Sequence, residues 1–435
     1  MRSDTKSKKI LICSDDSYYL FSYLRSIATS LVALGYDVHY YTKKNSEPTH
    51  FSESNVKLYG YPLLIKAALR FSGYSVGRVA VWVACRIWVN RLKHKGYDWA
   101  IVPWDNKPLW YLISNQFRSA IIQNTFDLLD ERIIFDLEKD TRSKIVRCLY
   151  NWFGLDLAPR FQNKILKHDS RTFVLDFFMG MRVQNLLLGC SGPDLFFVIG
   201  PSAKTTLLSD VGCCIKKIIV AGHPTFSEFI GRRDVSEAEI SRLRDRYFSN
   251  HQQKKIISLF LSPSHLDLPK LREISNVFKS LPNPNALFVN IKAHPKTNKE
   301  SIRQLLDICE EQKLDYQLKV EFSSERENFD MIQASDLLVI KQGTTGLLAL
   351  LTNTPIIVYN LEETKYFDDL FSYLGFPNIA RDTESLRQMV EATLGSTVES
   401  NKAEKDNLAL CSKHLYTERP FFEVFVEALN DEKSI

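Results

Sequence analysis

The chain has 435 residues, of which 45% are hydrophobic and 25% are charged, and its formal net charge at pH 7 is +5. This length is too great for one ordinary domain and fits two α/β domains of about 200 residues each. The composition excludes a disordered, collagen-like or coiled-coil chain. The weak positive charge suits an anionic substrate or a membrane surface, whereas nucleic-acid binding usually requires a dense basic stripe.

Cysteine usage and the N-terminal residues predict a cytoplasmic protein. The eight cysteines form no CxxC pair and show no zinc-site spacing, which is typical of scattered thiols in a reducing compartment. Residues 1–9 are polar and are followed by only a short apolar run, so we expect no signal peptide. The apolar segment 79–89 is shorter than the ~20 residues that a membrane-spanning helix needs, and Arg86 interrupts it.

Two series of short apolar strands alternate with helical segments along the chain. The first series has strands at 9–13, 37–41, 99–102, 120–123, 195–199 and 217–220. After a charged helical stretch at 235–250, the second series has strands at 256–261, 287–291, 318–322, 337–340 and 356–359. Apolar strands that alternate with helices indicate parallel sheets with both faces covered. We therefore predict an α/β fold of two doubly wound, Rossmann-like domains.

The domain boundaries follow from the point at which the second series begins. We expect an N-terminal domain at residues 1–236 and a C-terminal domain at 237–405. A helical segment at 406–435 follows, which Pro420 could divide and which could cross back to the first domain. Doubly wound folds bind ligands at the carboxyl ends of their strands, so the loops after the strands are where a site is expected.

A Gly-Thr-Thr-Gly turn at 343–346 follows one strand of the second series and leads into a short helix. Gly343 and Gly346 would let the backbone approach a ligand closely. Thr344 and Thr345 offer hydroxyls at a helix N-terminus, where unpaired N–H groups carry partial positive charge. The pattern indicates a phosphate-binding turn without a Walker lysine, and the alternative is an ordinary capped helix.

His294 closes another strand of the same series and is flanked by Lys292 and Lys296. Its imidazole could donate a hydrogen bond to a phosphate, and Pro295 favours an extended geometry at the strand end. Alone, it could equally be a surface histidine beside solvated lysines. Because the 343–346 turn belongs to the same predicted sheet, we favour a joint phosphate site.

Several nucleotide-binding motifs are absent from the sequence. No Gly-x-Gly-x-x-Gly follows the first strand, and there is no Walker A motif and no Asp-x-Asp pair. A Rossmann dehydrogenase, a P-loop NTPase and a metal-dependent GT-A transferase are therefore disfavoured. We expect no bound metal and no other cofactor.

These motifs resemble those of the GT-B glycosyltransferases and their relatives in bacterial surface-polysaccharide synthesis. The opening strand, helix and strand look like the start of many GT-B acceptor domains. Residues 217–224 (KIIVAGHP) are similar to an element of lipid-A-disaccharide synthase, UDP-GlcNAc 2-epimerase and the teichoic acid glycerophosphotransferases. His294-Pro295 resembles the His-Pro motif that binds donor phosphate in bacterial sialyl-, polysialyl- and Kdo transferases and in those glycerophosphotransferases, and 343–346 resembles the diphosphate loop of the same group.

The resemblance implies a fold of two domains facing a central cleft and a sugar transfer that needs no metal. A nucleotide-activated sugar would be the donor, and a surface glycan or a lipid-linked sugar would be the acceptor. Gly343, Thr344, Thr345 and His294 would stabilise the nucleotide phosphate as it leaves. For His223 and Pro224, which would lie near the hinge, we favour a structural role.

Departures from the family pattern bear on the donor. Leu348 occupies the position at which many UDP-sugar enzymes carry a ribose-binding glutamate, and the glutamate pair of retaining relatives is missing. The Gly-Thr-Arg-Pro element of the epimerase has no counterpart near Cys13. These departures therefore slightly favour a CMP-sugar over a UDP-sugar as the donor. The alternatives are a CDP-glycerol-type glycerophosphotransferase, a non-hydrolysing nucleotide-sugar 2-epimerase and a catalytically inactive scaffold.

In a GT-B enzyme the catalytic base is expected in the N-terminal half, opposite the donor. Four aspartates lie just beyond predicted strands there, and a carboxylate at such a position could deprotonate an acceptor hydroxyl. They are Asp15, Asp16, Asp105 and Asp127. Each could instead be an ordinary turn or capping residue. We rank Asp16 and Asp127 first.

The segment 63–95 mixes aromatic residues, Trp82 and Trp88 among them, with seven lysines and arginines at 66, 70, 78, 86, 91, 93 and 95. One interpretation is a core helix with a solvated basic face. The other is an interfacial helix that brings the enzyme to the anionic inner face of the cytoplasmic membrane or to a lipid-linked acceptor.

Overall fold

The chain divides into two compact units, Met1–Pro224 with Arg419–Ile435 and Thr225–Glu418. The computed structural model describes residues 7–14, 22–42, 55–63, 65–66, 75–103, 108–123, 134–136, 164–166, 191–208, 215–249, 251–261, 267–294, 297–313, 315–320, 323–341, 344–360, 375–395 and 397–431.

The described strands are β1 (Lys9–Cys13), β2 (Asp37–Thr42), β3 (Lys57–Gly60), β4 (Trp99–Val102), β5 (Ser119–Ile122), β6 (Ile134–Asp136), β7 (Lys164–Leu166), β8 (Leu195–Val198), β9 (Lys217–Val220), β10 (Lys255–Phe260), β11 (Leu287–Lys292), β12 (Tyr316–Lys319), β13 (Leu337–Ile340), β14 (Ile356–Tyr359) and β15 (Ile379–Ala380). The described α-helices are α1 (Ser22–Ala33), α2 (Ser75–Lys93), α3 (Pro108–Gln116), α4 (Pro201–Thr206), α5 (Glu237–Phe248), α6 (Asp267–Lys279), α7 (Lys299–Gln312), α8 (Glu325–Gln333), α9 (Thr344–Ala349), α10 (Thr383–Gly395), α11 (Thr397–His414) and α12 (Phe421–Asn430).

A parallel sheet forms the centre of the first unit. Its strand order is β3-β2-β1-β4-β5-β8-β9, and every neighbouring pair is parallel. β6 and β7 form a separate antiparallel pair. Continuous apolar strands predict a sheet that is covered on both faces, and Ile10, Leu11 and Ile12 of β1 are each 0% exposed.

A second parallel sheet, of order β12-β11-β10-β13-β14-β15, forms the centre of the second unit. The chain proceeds from β10 to β11 and β12 on one side and then returns to the other side of β10 for β13. The apolar residues of α6, α7 and α10 share a core with Ile257 and Val289 on one face of the sheet. On the other face, Phe248 of α5 contacts Phe288 of β11, with ring centroids 6.0 Å apart. The predicted α/β fold with two doubly wound sheets is confirmed.

The units divide at Pro224, upstream of the boundary predicted at 236. The segment 225–235 belongs to the second unit because it is anchored there by side chains. Phe229 stacks on Phe329 of α8 with ring centroids 4.5 Å apart, and Gln333 Nε2 donates to the Arg232 carbonyl at 2.6 Å. The predicted boundary at 236 coincides with the start of the charged helical stretch at 235–250, whereas these contacts join residues about 100 positions apart and leave no local pattern.

The C-terminal segment predicted at 406–435 is shared between the units. α11 belongs to the second unit and α12 to the first, because the division falls at Arg419. α12 buries an apolar face in the first unit, where Phe425 lies 4.9 Å from the Phe197 ring. The indole Nε1 of Trp99 also donates to the Leu429 carbonyl at 3.2 Å.

Three aspartates join the amino ends of neighbouring strands. Asp98, Asp194 and Asp336 each lie immediately before a strand, β4, β8 and β13 respectively. Each carboxylate accepts a backbone N–H at the start of the strand beside it, at 2.6–2.8 Å, from Lys9, Ser119 and Ile256 in turn. The same contact thus fixes a strand start in both units.

Candidate functional site

The carboxyl ends of β11, β10 and β13 lie side by side in one row of the second sheet. Register pairs Lys292 with Phe260, and Phe260 with Ile340. Adjacent strands are about 4.8 Å apart, so β11 and β13, on either side of β10, are about 10 Å apart. His294 follows β11 and Thr344 follows β13, so both loops leave the same edge of the sheet.

This edge contains the point at which the strand order reverses. The chain runs outwards from β10 through β11 and β12, then continues at β13 on the opposite side of β10. Loops on the two sides of such a reversal diverge and leave a crevice, which is where doubly wound sheets bind ligands. The predicted phosphate-binding residues therefore come from the two sides of the expected crevice.

His294 lies in a well-anchored turn. The Ala293 N–H donates to the Lys319 carbonyl at 2.9 Å, which continues the strand pairing up to the histidine. The Thr297 N–H donates to the His294 carbonyl at 2.8 Å, and α7 begins directly afterwards with Asn298 as its cap, accepting from the Ser301 N–H at 2.7 Å. The His294 side chain is half-buried.

Lys292 is not one of the solvated lysines that the surface interpretation of His294 assumed. It is the last residue of β11, and only 5% of its surface is exposed. A buried ammonium is stable only when anions or hydrogen-bond acceptors surround it. Pro295 and Lys296 lie outside the described residues.

The Gly-Thr-Thr-Gly turn becomes the first turn of a short helix. α9 begins at Thr344 and ends at Ala349, with Thr345 half-buried and Gly346 buried. Gly343 lies outside the described residues. Leu347 and Leu348 are 0% and 2% exposed, so both side chains are buried.

The candidate bases Asp16 and Asp127, and with them Asp15 and Asp105, lie outside the described residues. The strands before them are described. Ile12 of β1 pairs with Ile101 of β4, and Ile101 pairs with Ala120 of β5. The three strands that precede these aspartates in the chain are therefore adjacent in the first sheet. His223 is 6% exposed, which suits the structural role predicted for it.

Glu325 is a titratable residue at the second sheet that sequence reasoning missed. It is the first residue of α8, the helix that follows β12, and its side chain is half-buried. Burial raises the pKa of this carboxyl, a hydrogen bond from Thr225 lowers it, and the nearby Glu228 carboxylate raises it. Glu325 is therefore protonated more readily than an exposed glutamate. In the sequence only the Ser324-x-x-Glu327 capping pattern marks this helix start.

Among the described residues, no group of three or more His, Cys, Asp and Glu side chains could hold a metal ion. None of the helices in the described ranges is long and apolar enough to span a membrane.

Comparisons with known proteins identify the fold through structure rather than sequence. No protein-family model matches the chain, and no curated protein matches it. A glycosyltransferase from Rickettsia africae matches with a TM-score of 0.56 and 10% identity, over 98% of both chains. HepE from Anabaena, solved in complex with UDP and glucose, matches with a TM-score of 0.55 and 12% identity, over 97% of this chain and 99% of its own.

The wall teichoic acid polymerase TagF also matches, with a TM-score of 0.53 and 9% identity, over 98% of this chain and 89% of the TagF chain. The alignments cover both sheets of the present structure, and the matched proteins include several glycosyltransferases. The chain therefore has the GT-B fold.

Proposed function

We propose that this protein is a glycosyltransferase that takes a sugar from a nucleotide-activated donor and transfers it to a surface glycan or a lipid-linked acceptor. One observation supports this most strongly. In a chain of GT-B fold, His294 and the turn at 344–346 follow the two strands that flank β10, where the strand order of the second sheet reverses. Doubly wound sheets bind nucleotides at that point.

In the proposed reaction, an acceptor hydroxyl attacks the anomeric carbon of the donor sugar while Asp16 or Asp127 removes its proton. The bond between the anomeric carbon and the phosphate oxygen breaks, and its electron pair stays on the nucleotide phosphate. His294 and the Thr344 and Thr345 hydroxyls donate hydrogen bonds to that phosphate, and Lys292 adds positive charge beneath it. Fixed donors of this kind lower the barrier because they are already oriented when the charge develops.

For the nucleotide we favour CMP over UDP, because the apolar, buried Leu348 cannot hold a ribose as a glutamate does. UDP remains the first alternative, since HepE was solved with UDP. The match to TagF keeps a CDP-glycerol-type glycerophosphotransferase as the second candidate function. A thermal-shift screen with CMP, CDP, UDP and GDP separates these donors, because the cognate nucleotide stabilises the protein most.

The phosphate site is tested by His294→Ala and Thr344→Ala. Each variant loses a hydrogen bond to a charged group, so we expect nucleotide affinity or transfer rate to fall by about 10- to 150-fold. His251→Ala is the matched control, because His251 precedes β10 at the opposite edge of the same sheet. Circular dichroism checks folding. If folded variants bind and turn over like the parent, the nucleotide lies elsewhere.

We further propose that transfer requires no metal, because the sequence contains no Asp-x-Asp pair to hold Mg²⁺ beneath a diphosphate. Activity should therefore persist unchanged in EDTA. The measurement is the initial transfer rate before and after chelation. Activity that disappears in EDTA and returns with Mn²⁺ or Mg²⁺ contradicts this proposal.

Helix α2 is the surface by which we propose that the protein contacts the anionic face of a membrane. Its tryptophans are core residues, with Trp82 at 0% and Trp88 at 7% exposed, so they are not interfacial anchors. Its solvent face instead carries exposed Val83, Arg86 and Ile87, followed one turn later by Arg91. Residues 54–97 contain no aspartate or glutamate. Apolar side chains among basic ones are typical of an interfacial helix.

Vesicle sedimentation tests this surface. The protein should sediment with vesicles that contain phosphatidylglycerol and be released by high salt, because about 1 kcal/mol per basic residue is screened. Arg86→Glu with Arg91→Glu should abolish sedimentation, whereas Lys279→Glu, an exposed change in the second unit, should not. Equal recovery in the supernatant with neutral and anionic vesicles would leave α2 as a core helix with a solvated face.

A further inference from the structure

A row of polar side chains crosses the apolar second sheet on the face that α5 and α8 cover. Gln317 of β12 pairs in register with Asn290 of β11, which pairs with Ser258 of β10. Asn290 and Ser258 are both 0% exposed, and Ser335, just before β13, is 6% exposed. We call Gln317, Asn290, Ser258 and Ser335 the polar ladder.

The hydrogen bonds of the polar ladder run in one direction. Gln317 Nε2 donates to Asn290 Oδ1 at 2.8 Å, and Asn290 Nδ2 donates to Ser258 Oγ at 2.9 Å. Ser335 Oγ donates its only proton to the Met331 carbonyl at 2.7 Å. The 2.7 Å contact between Ser258 and Ser335 therefore has Ser258 as the donor. Every bond has one defined donor, and an apolar residue in place of Asn290 or Ser258 would break the chain of bonds.

The polar ladder specifies the strand register, which the apolar residues of the strands specify only weakly. In a parallel sheet buried on both faces, a slip by two residues exchanges one apolar side chain for another and is weakly opposed. A slip of β11 against β10 would instead leave Asn290 and Ser258 buried without hydrogen-bond partners, which is costly. The polar ladder thus fixes the register of β11, β10 and the start of β13 relative to one another.

The register of these strands matters to the proposed donor site. The present inference rests on that site. His294 follows β11 and Thr344 follows β13, and the two strands do not pair with each other because β10 lies between them. We propose that Asn290 is a positioning residue. Through the polar ladder it sets the position of His294 along the strand direction relative to Thr344, so that both residues reach one phosphate.

The test is a double-mutant cycle on nucleotide affinity. Asn290→Leu with Ser258→Ala replaces the centre of the ladder by apolar groups. The ends keep partners, because Gln317 Nε2 also donates to the Tyr247 carbonyl at 3.4 Å and Ser335 keeps the Met331 carbonyl. We therefore expect a melting temperature within a few degrees of the parent. The probe is whichever of CMP, CDP, UDP and GDP stabilises the parent most.

We expect this ladder variant to bind the nucleotide about 10-fold more weakly than the parent, the lower end of the loss expected for His294→Ala. In the ladder variant a further His294→Ala should cost less than 2-fold, because the histidine no longer reaches the phosphate. The imidazole NMR signals of His294, assigned by His294→Ala, should also shift on nucleotide addition in the parent but not in the ladder variant. If the double variant does not fold, Asn290→Leu alone enters the same cycle, because Ser258 Oγ keeps its hydrogen bond to Ser335 and Gln317 keeps the Tyr247 carbonyl.

The outcomes separate the two proposals. If His294→Ala weakens binding in the parent and weakens it by the same factor in the ladder variant, the positioning role is overturned and the donor site stands. A ladder variant that binds like the parent overturns it as well. If His294→Ala has no effect in the parent, the donor site itself is wrong.

Discussion

Replacing Phe425 with alanine should lower the free energy of unfolding by about 3–5 kcal/mol, the usual cost of deleting a buried aromatic ring. Phe425 is 0% exposed, and its ring lies 4.9 Å from Phe197 and 5.5 Å from Phe421. Phe197 belongs to β8, so the deletion leaves a cavity against the central sheet of the first unit. The surrounding strands cannot close this cavity without losing their own pairing.

Urea unfolding monitored by circular dichroism measures this loss. Glu423→Ala is the matched control on the same helix. Glu423 is exposed, and its ion pair with Arg419, at 3.8 Å, is a weak surface contact. The control should change the unfolding free energy by less than about 0.5 kcal/mol. A Phe425→Ala protein as stable as the control would show that α12 does not contribute to the core of the first unit.

Much of the strand order could be predicted because the apolar runs are short, continuous and followed by polar loops. β1, β4 and β13 begin and end at the predicted residues. β3 was not predicted, because it has four residues, three of them exposed, and lies at the end of the strand order. β15, with two residues, is too short to leave a pattern.

β12 was predicted at 318–322 but is found at Tyr316–Lys319. The segment alternates apolar and charged residues, which favours a strand without fixing its ends. Its position is set by pairing, with Gln317 opposite Asn290. Such a choice depends on a partner almost thirty positions away in the chain and cannot be read from a local pattern.

Some residues of the candidate site could be predicted from the sequence and others could not. Lys292, His294 and the 344–346 turn could be assigned to one sheet edge because strand order alone places them there. Glu325 could not be found, because its pKa is perturbed by burial and by Thr225 and Glu228, which are far away in sequence. Asn290 and Ser258 look like polar interruptions of apolar strands until their hydrogen bonds are known.

Asp336→Ala should destabilise the second unit by about 2–4 kcal/mol. Its carboxylate accepts the Ile256 N–H at 2.8 Å and pairs with Arg244 Nη2 at 3.0 Å, with only 17% of the side chain exposed. Alanine would leave a strand N–H without its acceptor and a half-buried guanidinium without its anion. The damage would fall between β10 and β13, the pair of strands at which the order of the sheet reverses.

Asp336→Asn separates the backbone contact from the ionic contacts, because its amide oxygen can still accept the Ile256 N–H while the ion pairs with Arg244 and, at 3.5 Å, with Lys255 are lost. Arg244 keeps a hydrogen bond from Nε to the Ala334 carbonyl at 3.1 Å, so losing the ion pairs alone should cost about 1 kcal/mol. The measurement is urea unfolding together with hydrogen exchange of the β10 amides, whose protection should fall in Asp336→Ala and largely persist in Asp336→Asn. Equal stability of parent and alanine variants would mean that strand pairing alone holds β13 in register.

Asp98 makes the same contact between β4 and β1, so Asp98→Ala should produce the corresponding loss of protection in β1 of the first unit and leave β10 unchanged.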